Sequence, residues 1–347
     1  MKQVVQIRCK NNKKKQKVAN GSTLSDIFSS FNLKMEHGPV SAKVNNKVEG
    51  MHYRVYNNKD IEFLDMRTSS GSRAYTRTLF FVLCKAVQDL YPGHDVVIDI
   101  PVSNGFYVDV RLERDVTADD VDCIRKRMQE IVDARMPIRR YMVPTEDAIA
   151  LFEEKGDVEK VKLLRTSGSL YTAYYKIGEY VDFYYGTLLT NTSQLYLFGL
   201  EKYYDGMLLR IPSLKNPDEL GEVTRQDKMF EIFKEHHHWQ DIIGIRTVGD
   251  FNAAVDAGHA TDIINISEAL QEKKIAQIAE QIAARPGVKL VLLAGPSSSG
   301  KTTSCKRLSI QLAVNRLKPL QISLDDHFVD RDRRPKARKG TYEHEGS

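Results

Sequence analysis

Eight consecutive residues, Gly295-Pro296-Ser297-Ser298-Ser299-Gly300-Lys301-Thr302, fill every fixed position of the pattern G-x-x-x-x-G-K-[ST]. Glycines at these places let backbone N–H groups curl around phosphate oxygens. A lysine there reaches the β- and γ-phosphates, and a Ser/Thr hydroxyl ligates magnesium. The residues expected to hold a nucleoside triphosphate are therefore Gly295, Pro296, Ser297, Ser298, Ser299, Gly300, Lys301, Thr302 and Thr303, with ATP and Mg2+ as the implied ligands. The start of a helix behind the loop would point its positive end at the anion.

Such a loop works only if a strand delivers it and a helix follows it. The apolar run Val288, Leu290, Val291, Leu292, Leu293 and Ala294 is suited to a strand buried on both faces, introduced by the turn pair Pro286-Gly287. Downstream, Leu308, Leu312 and Leu317 recur at helical spacing from Lys306 to Leu317 until Pro319 stops them. Gln321-Ile322-Ser323 reads as a second strand. A carboxylate just past its end, Asp325, would sit in the ligand crevice of a parallel sheet as the catalytic base beside Lys301. Asp326 would assist Thr302 with magnesium or face solvent, and either aspartate could instead be a loop cap.

Upstream, residues 1–65 predict a compact β-grasp-like unit. Val4, Val5 and Ile7 precede an Asn11-Asn12 turn, and Thr23 with Asp26 opens a helix at capping-box spacing. Val40, Ala42 and Val44 alternate, and Ile61-Glu62-Phe63 ends the unit. Thr68-Ser69-Ser70-Gly71-Ser72 reads as a linker. Residues 73–211 predict an α+β domain: a helix through Leu79, Leu83, Val87 and Leu90, strands at 96–100 and 106–112, and a second capped helix opened by Thr117 and Asp120. Aromatic strand-like runs follow at 171–177 and 195–200. Residues 212–285 predict a connecting helical region with His236-His237-His238. Three neighbours point around a helix rather than at one ion.

The chain is 347 residues long with a net charge of +5. No apolar run approaches the ~20 residues of a membrane helix, and the N-terminus lacks the apolar stretch of a secretory signal, so a cytoplasmic protein is expected. Cys9, Cys84, Cys123 and Cys305 form no C-x-x-C pair and read as reduced and buried. The basic clusters Lys10 to Lys17 and Arg331 to Lys339 are either nucleic-acid contacts or a solvated turn and tail.

The order of segments resembles a family of bacterial uridine kinase-like nucleoside kinases that carry a TGS domain and a threonyl-tRNA synthetase editing-like domain ahead of the kinase. The resemblance rests on Leu90-Tyr91-Pro92-Gly93, Asn104-Gly105-Phe106-Tyr107-Val108-Asp109 and Gly178-Glu179-Tyr180-Val181-Asp182 in the middle. In the last part it rests on Glu268-Ala269-Leu270, the phosphate loop, Arg307-Leu308-Ser309 and Ile322-Ser323-Leu324-Asp325-Asp326 with Arg331 and Pro335. It implies a multidomain α+β and α/β chain ending, at 286–347, in the start of a P-loop NTPase parallel sheet. It also implies ATP-dependent phosphorylation of a nucleoside 5′-hydroxyl, with Tyr342-Glu343 where the family has a Tyr-Asp phrase. Too few residues follow Thr302 for a nucleotide-kinase sheet, since each βαβ unit takes ~30 residues. The kinase domain is expected to be cut short, and the isolated chain to bind nucleotide weakly without turnover.

Set against the editing family, the H-x-x-x-H pair falls on Arg77 and Phe81, and the C-x-x-x-H pair on Tyr184 and Leu188. No zinc ligand set is expected there, nor metal-assisted deacylation of a charged tRNA. Tyr174, Tyr175, Tyr184 and Tyr185 either line a binding surface or pack across strands. The alternative to the kinase is a regulatory platform in which the N-terminal domains contact RNA or a nucleotide.

Overall fold

The computed structural model describes residues 3–323 and divides into two compact units, Met1–Ala253 and Ala254–Ser347. The first opens with the strands β1 (Val4–Cys9), β2 (Lys15–Ala19), β3 (Ser22–Thr23), the helix α1 (Leu24–Ser30), and then β4 (Ser41–Val44), β5 (Lys47–Glu49), β6 (Arg54–Val55) and β7 (Lys59–Leu64). Five of these strands form a sheet in the order β2-β1-β7-β4-β5, with β1 and β7 parallel and the other pairs antiparallel. Alternation in β1 turns Val5, Ile7 and Cys9 inward, where they meet Leu24 and Ile27 of α1. The capping box expected at α1 is present: Thr23 Oγ1 accepts from Asp26 N at 3.1 Å, and Asp26 Oδ2 accepts from Thr23 N at 3.0 Å.

The stretch 68–72 is not a linker. Thr68 is the N-cap of the long helix α2 (Ser69–Leu90), its Oγ1 accepting from Gly71 N at 3.0 Å. Ser and Gly suit this first turn because it lies hard against the preceding chain; a Cβ on Gly71 would stand 1.9 Å from Asp65 O. Val40 and Met66, from the first sheet's side, enter the same core as Leu79, Phe81, Leu83 and Val87 of α2.

Beyond α2 come β8 (Val96–Val102), β9 (Gly105–Val110), α3 (Ala118–Asp133), β10 (Arg139–Pro144), α4 (Thr145–Glu154), α5 (Val158–Arg165), β11 (Tyr171–Ile177) and β12 (Tyr180–Phe183). A 3-10 turn at Thr192–Gln194 leads to β13 (Gly199–Tyr203) and β14 (Gly206–Arg210). Residues 195–198, expected to be strand, precede β13 and only Gly199 onward pairs, because Leu195 still closes the 3-10 turn. Two antiparallel sheets result, β13-β14-β9-β8 and β10-β11-β12. The core helices α2 and α3 contribute Leu79, Phe81, Ile124 and Met128, packed with Val108, Met207 and Leu209 of β9 and β14. On the second sheet, Ile149 and Phe152 of α4 and Val161 and Leu164 of α5 cover Val181.

The helix α6 (Asp227–Ile243) inserts Phe230 among Tyr107, Tyr203 and Leu208. The first turn of α7 (Val248–Asp256) is tied to α5 by an ion pair between Asp250 and Lys162. No helix among the described residues is long and apolar enough to cross a membrane. Of the cysteines, only Cys9 is buried; Cys84 and Cys305 are partly exposed and Cys123 is exposed.

The second unit, among its described residues, is a helical hairpin of α8 (Ala260–Ala283) and α9 (Lys301–Val314), joined by Arg307 Nε to Glu272 Oε2 at 3.0 Å and Gln311 Nε2 to Glu272 Oε1 at 2.6 Å. The expected parallel sheet is not there. Residues 288–294 pair with no strand and are open to solvent, with Leu290 72% and Leu292 81% exposed. Gln321-Ile322-Ser323 is likewise unpaired, with Ile322 63% exposed. An apolar run becomes a strand only when a neighbouring strand takes its backbone N–H and C=O groups, and the described part of this unit offers none. Asp325, Asp326, Arg331, Pro335, Tyr342 and Glu343 lie outside the described residues.

Candidate functional site

Two places hold the residues the sequence singled out. The first is the loop 295–300 leading into α9. Gly300, at φ 81°, is its N-cap, and Ser298, at φ 59°, gives the loop a second left-handed residue. Lys301 folds back over the loop, donating from Nζ to Gly295 O at 2.9 Å and Pro296 O at 2.8 Å. The Lys301 ammonium thus rests on the carbonyls at the start of the loop. Asp325, the expected partner across the cradle, is not among the described residues.

The second place is in the first unit, where Phe81, Leu188 and Tyr184, three of the four positions set against zinc ligands, share one core. The Phe81 ring lies 5.7 Å from the Tyr184 ring and 5.4 Å from that of Tyr180. Leu188 is buried in the same core. Arg77 turns aside, its Nη1 donating to Thr187 O at 3.3 Å while its guanidinium lies against the Gly186 α-carbon. The tyrosines divide: Tyr175 is core, donating to Gly186 O at 2.9 Å; Tyr174 stacks on Tyr141 at 5.2 Å; Tyr185 is exposed.

Beside Phe81 and Tyr184 opens a groove of about 1450 Å³ whose polar wall includes Cys84, Asp157, Lys160, Tyr180 and Asp182. Lys160 Nζ sits between Asp182 Oδ1 at 2.9 Å and Asp157 Oδ2 at 2.5 Å, above the Phe152 ring. Burial works against its charge, but the Asp182 and Asp157 carboxylates outweigh burial and hold its pKa above the usual lysine value. Asp182 also accepts from Phe183 N at 2.6 Å and from the Tyr180 hydroxyl at 3.3 Å. Burial, aided by the Asp182 charge, pushes the Cys84 thiol up to about 12 and raises the Tyr184 hydroxyl well above its ordinary value. A thiol so raised is not a nucleophile near neutrality. This stretch of the wall therefore presents a fixed ammonium, two carboxylates and protonated hydroxyls, a set that recognises polar groups, and the rest of the lining adds charges of both signs, among them Asp89, Glu159, Lys85 and Arg246.

Lys160 and Asp182 carried no signal as a pair in the sequence, since they sit on different elements and meet only when α5 packs on β12. The His triplet lies along α6, where His237 Nε2 reaches Asp99 Oδ2 at 2.9 Å.

No protein-family model matches the chain. Among curated proteins it is similar to threonine–tRNA ligases. It is 31% identical over 227 residues to that of Syntrophotalea carbinolica, covering 62% of this chain and 36% of the relative. It is 28% identical over 181 residues to those of Marinobacter nauticus and Acetivibrio thermocellus, covering 52% of this chain and 28% of each relative. The chain thus spans about a third of the length of these relatives. The expected kinship with uridine kinase-like nucleoside kinases is corrected by these matches: the relatives are aminoacyl-tRNA ligases by name, and the region expected to begin a kinase sheet forms no sheet among the described residues. The reading of ATP-dependent nucleoside phosphorylation falls with it.

Proposed function

We propose that this chain is an RNA-binding platform, in which a TGS-like β-grasp domain at 1–65 and an editing-like α+β domain at 73–211 hold RNA without hydrolysing an ester on it. The similarity to threonine–tRNA ligases supports an RNA partner. The filling of the four metal-ligand positions by Arg77, Phe81, Tyr184 and Leu188 supports the non-hydrolytic part. The observation that carries the RNA surface is the β1–β2 hairpin: Lys10, Lys13, Lys14, Lys15 and Lys17 are all exposed, and Arg8 faces Lys15 across the pair. No carboxylate pairs with these five lysines among the described residues. Such a row suits a phosphate backbone.

Charge-neutralising substitution of Lys13, Lys14, Lys15 and Lys17 by glutamine should reduce tRNA affinity by about tenfold or more and flatten the salt dependence of log K by about 3. Filter binding across a salt series reads both quantities. Unchanged affinity and slope, or release of amino acid from a charged tRNA by the wild-type chain, would refute this reading.

The loop 295–303 supports a nucleotide-holding role within the same platform. Lys301 would leave the Gly295 and Pro296 carbonyls for the phosphates of ATP, and the Thr302 hydroxyl would take Mg2+, joined by Asp326. ATP with Mg2+ should then raise the thermal midpoint of the wild-type chain but not that of Lys301→Ala. Equal shifts in both would remove the loop from the nucleotide site.

A further inference from the structure

Three arginines stand near the seam between the first sheet and the editing-like domain: the Arg73 charge acts on Arg77, and the charges of Arg77 and Arg140 both act on the Tyr175 hydroxyl. Arg73 and Arg77 are one turn apart on α2, a spacing at which like charges repel. Arg140 on β10 stands directly across from Tyr175 on β11. Tyr175 donates to Gly186 O, and the Arg77 guanidinium lies on Gly186, so Arg77 and Arg140 approach one short stretch of backbone, residues 186–187, while Arg73, one turn away, is exposed and donates to Ser70 Oγ at 3.4 Å. From the first sheet's side, the chain after β5 closes the seam: a Cβ added at Gly50 would stand 3.4 Å from the Thr187 side chain. Among the described residues no salt bridge involves Arg73, Arg77 or Arg140.

Of the three, Arg77 is half-buried, while Arg73 and Arg140 are exposed. Burial lowers the Arg77 pKa, and the neighbouring Arg73 lowers it further. Burial, with the Arg140 charge, brings His52 down to about 4, so this histidine is neutral and adds no positive charge at physiological pH. An unanswered, partly buried cation is costly unless an anion completes it. Planar guanidinium forks match the oxygens of phosphate, two at a time.

We propose that Arg73, Arg77 and Arg140 form a phosphate-holding site, taking a phosphate group from an RNA strand or from a free nucleotide. The site deepens the RNA-platform reading and rests on it for the RNA source. Arg77 thereby stands where a ligand for a hydrolytic metal was looked for and supplies an anion contact instead.

The test uses the full chain carrying Lys301→Ala, so that the 295–303 loop contributes little, and inorganic pyrophosphate as the probe in titration calorimetry. The parent should bind it, and Arg77→Met and Arg140→Met should each weaken binding at least tenfold. Arg77→Lys, which keeps the charge and loses the fork, should fall between. Without anion, Arg77→Met should melt no lower than its parent, a result that a purely structural arginine would not give. No binding by the parent, or equal binding by parent and variants, overturns the site. Competition by a short RNA identifies the strand as the source, and competition by a mononucleotide alone identifies the free nucleotide. The glutamine hairpin variant separates the two readings: it should lose RNA and keep pyrophosphate.

Discussion

Lys160→Met should lower folding stability by about 3–5 kcal/mol, the cost of leaving one member of a buried ion pair without its partner. The carboxylate left behind is Asp182, whose side chain is 8% exposed and whose remaining donors are Phe183 N and the Tyr180 hydroxyl. Asp157 loses the same ammonium but is more open to water. Methionine keeps the length of the aliphatic stem over Phe152, so the loss reads the charge rather than a cavity. The double variant Lys160→Met, Asp182→Asn should recover much of the deficit, because the uncompensated charge is then gone. Urea unfolding followed by circular dichroism gives the midpoints. A single variant as stable as the wild type, or a double variant worse than the single, would show that the triad is not the anchor of this groove.

Asp120→Ala should cost about 3 kcal/mol, combining a lost helix cap with lost charge-assisted hydrogen bonds. Asp120 caps α3 by accepting from Thr117 N at 2.8 Å, takes two bonds from Arg114 at 2.6 and 2.8 Å, and accepts from the Tyr91 hydroxyl at 2.7 Å. The Arg114 guanidinium, then the Thr117 donors, hold its carboxyl far below the usual carboxylate range, with burial opposing them. The sign of the pH effect follows. A depressed folded-state pKa gives stability that is present above the unfolded value of about 3.9 and is lost as pH falls below it. The gap between wild type and Asp120→Ala should therefore be constant from pH 5 to 8 and shrink below about pH 4. A gap that widens on acidification would contradict the assigned network.

What could be read from the chain alone was whatever neighbours in sequence decide. Thr23 with Asp26 and Thr117 with Asp120 announce their helices because a capping box closes within four residues. Inward alternation in β1 is equally local. Residues 68–72 were misread because the same Ser and Gly types serve a loose connection and a tightly packed first turn; only the approach of Asp65 O distinguishes them. Residues 288–294 misled in the other direction, since hydrophobicity proposes a strand but pairing makes one. Residues 295–302 carried the nucleoside-kinase reading too far for a related reason: a pattern of eight residues that suits phosphate says nothing of the acceptor. Lys160 and Asp182, and the three arginines, are products of tertiary packing and left no periodic trace.

The shared core at Val40 and Met66 sets one further limit on behaviour. Because these side chains are locked among those of α2, and because Gly71 leaves no room to slide past Asp65, the five-stranded sheet is mortised to the helix behind it rather than strung on a tether. A polynucleotide touching both the lysine hairpin and the arginine seam would meet them at one preset separation, so the length and bend of the strand, more than its base sequence, would decide what fits.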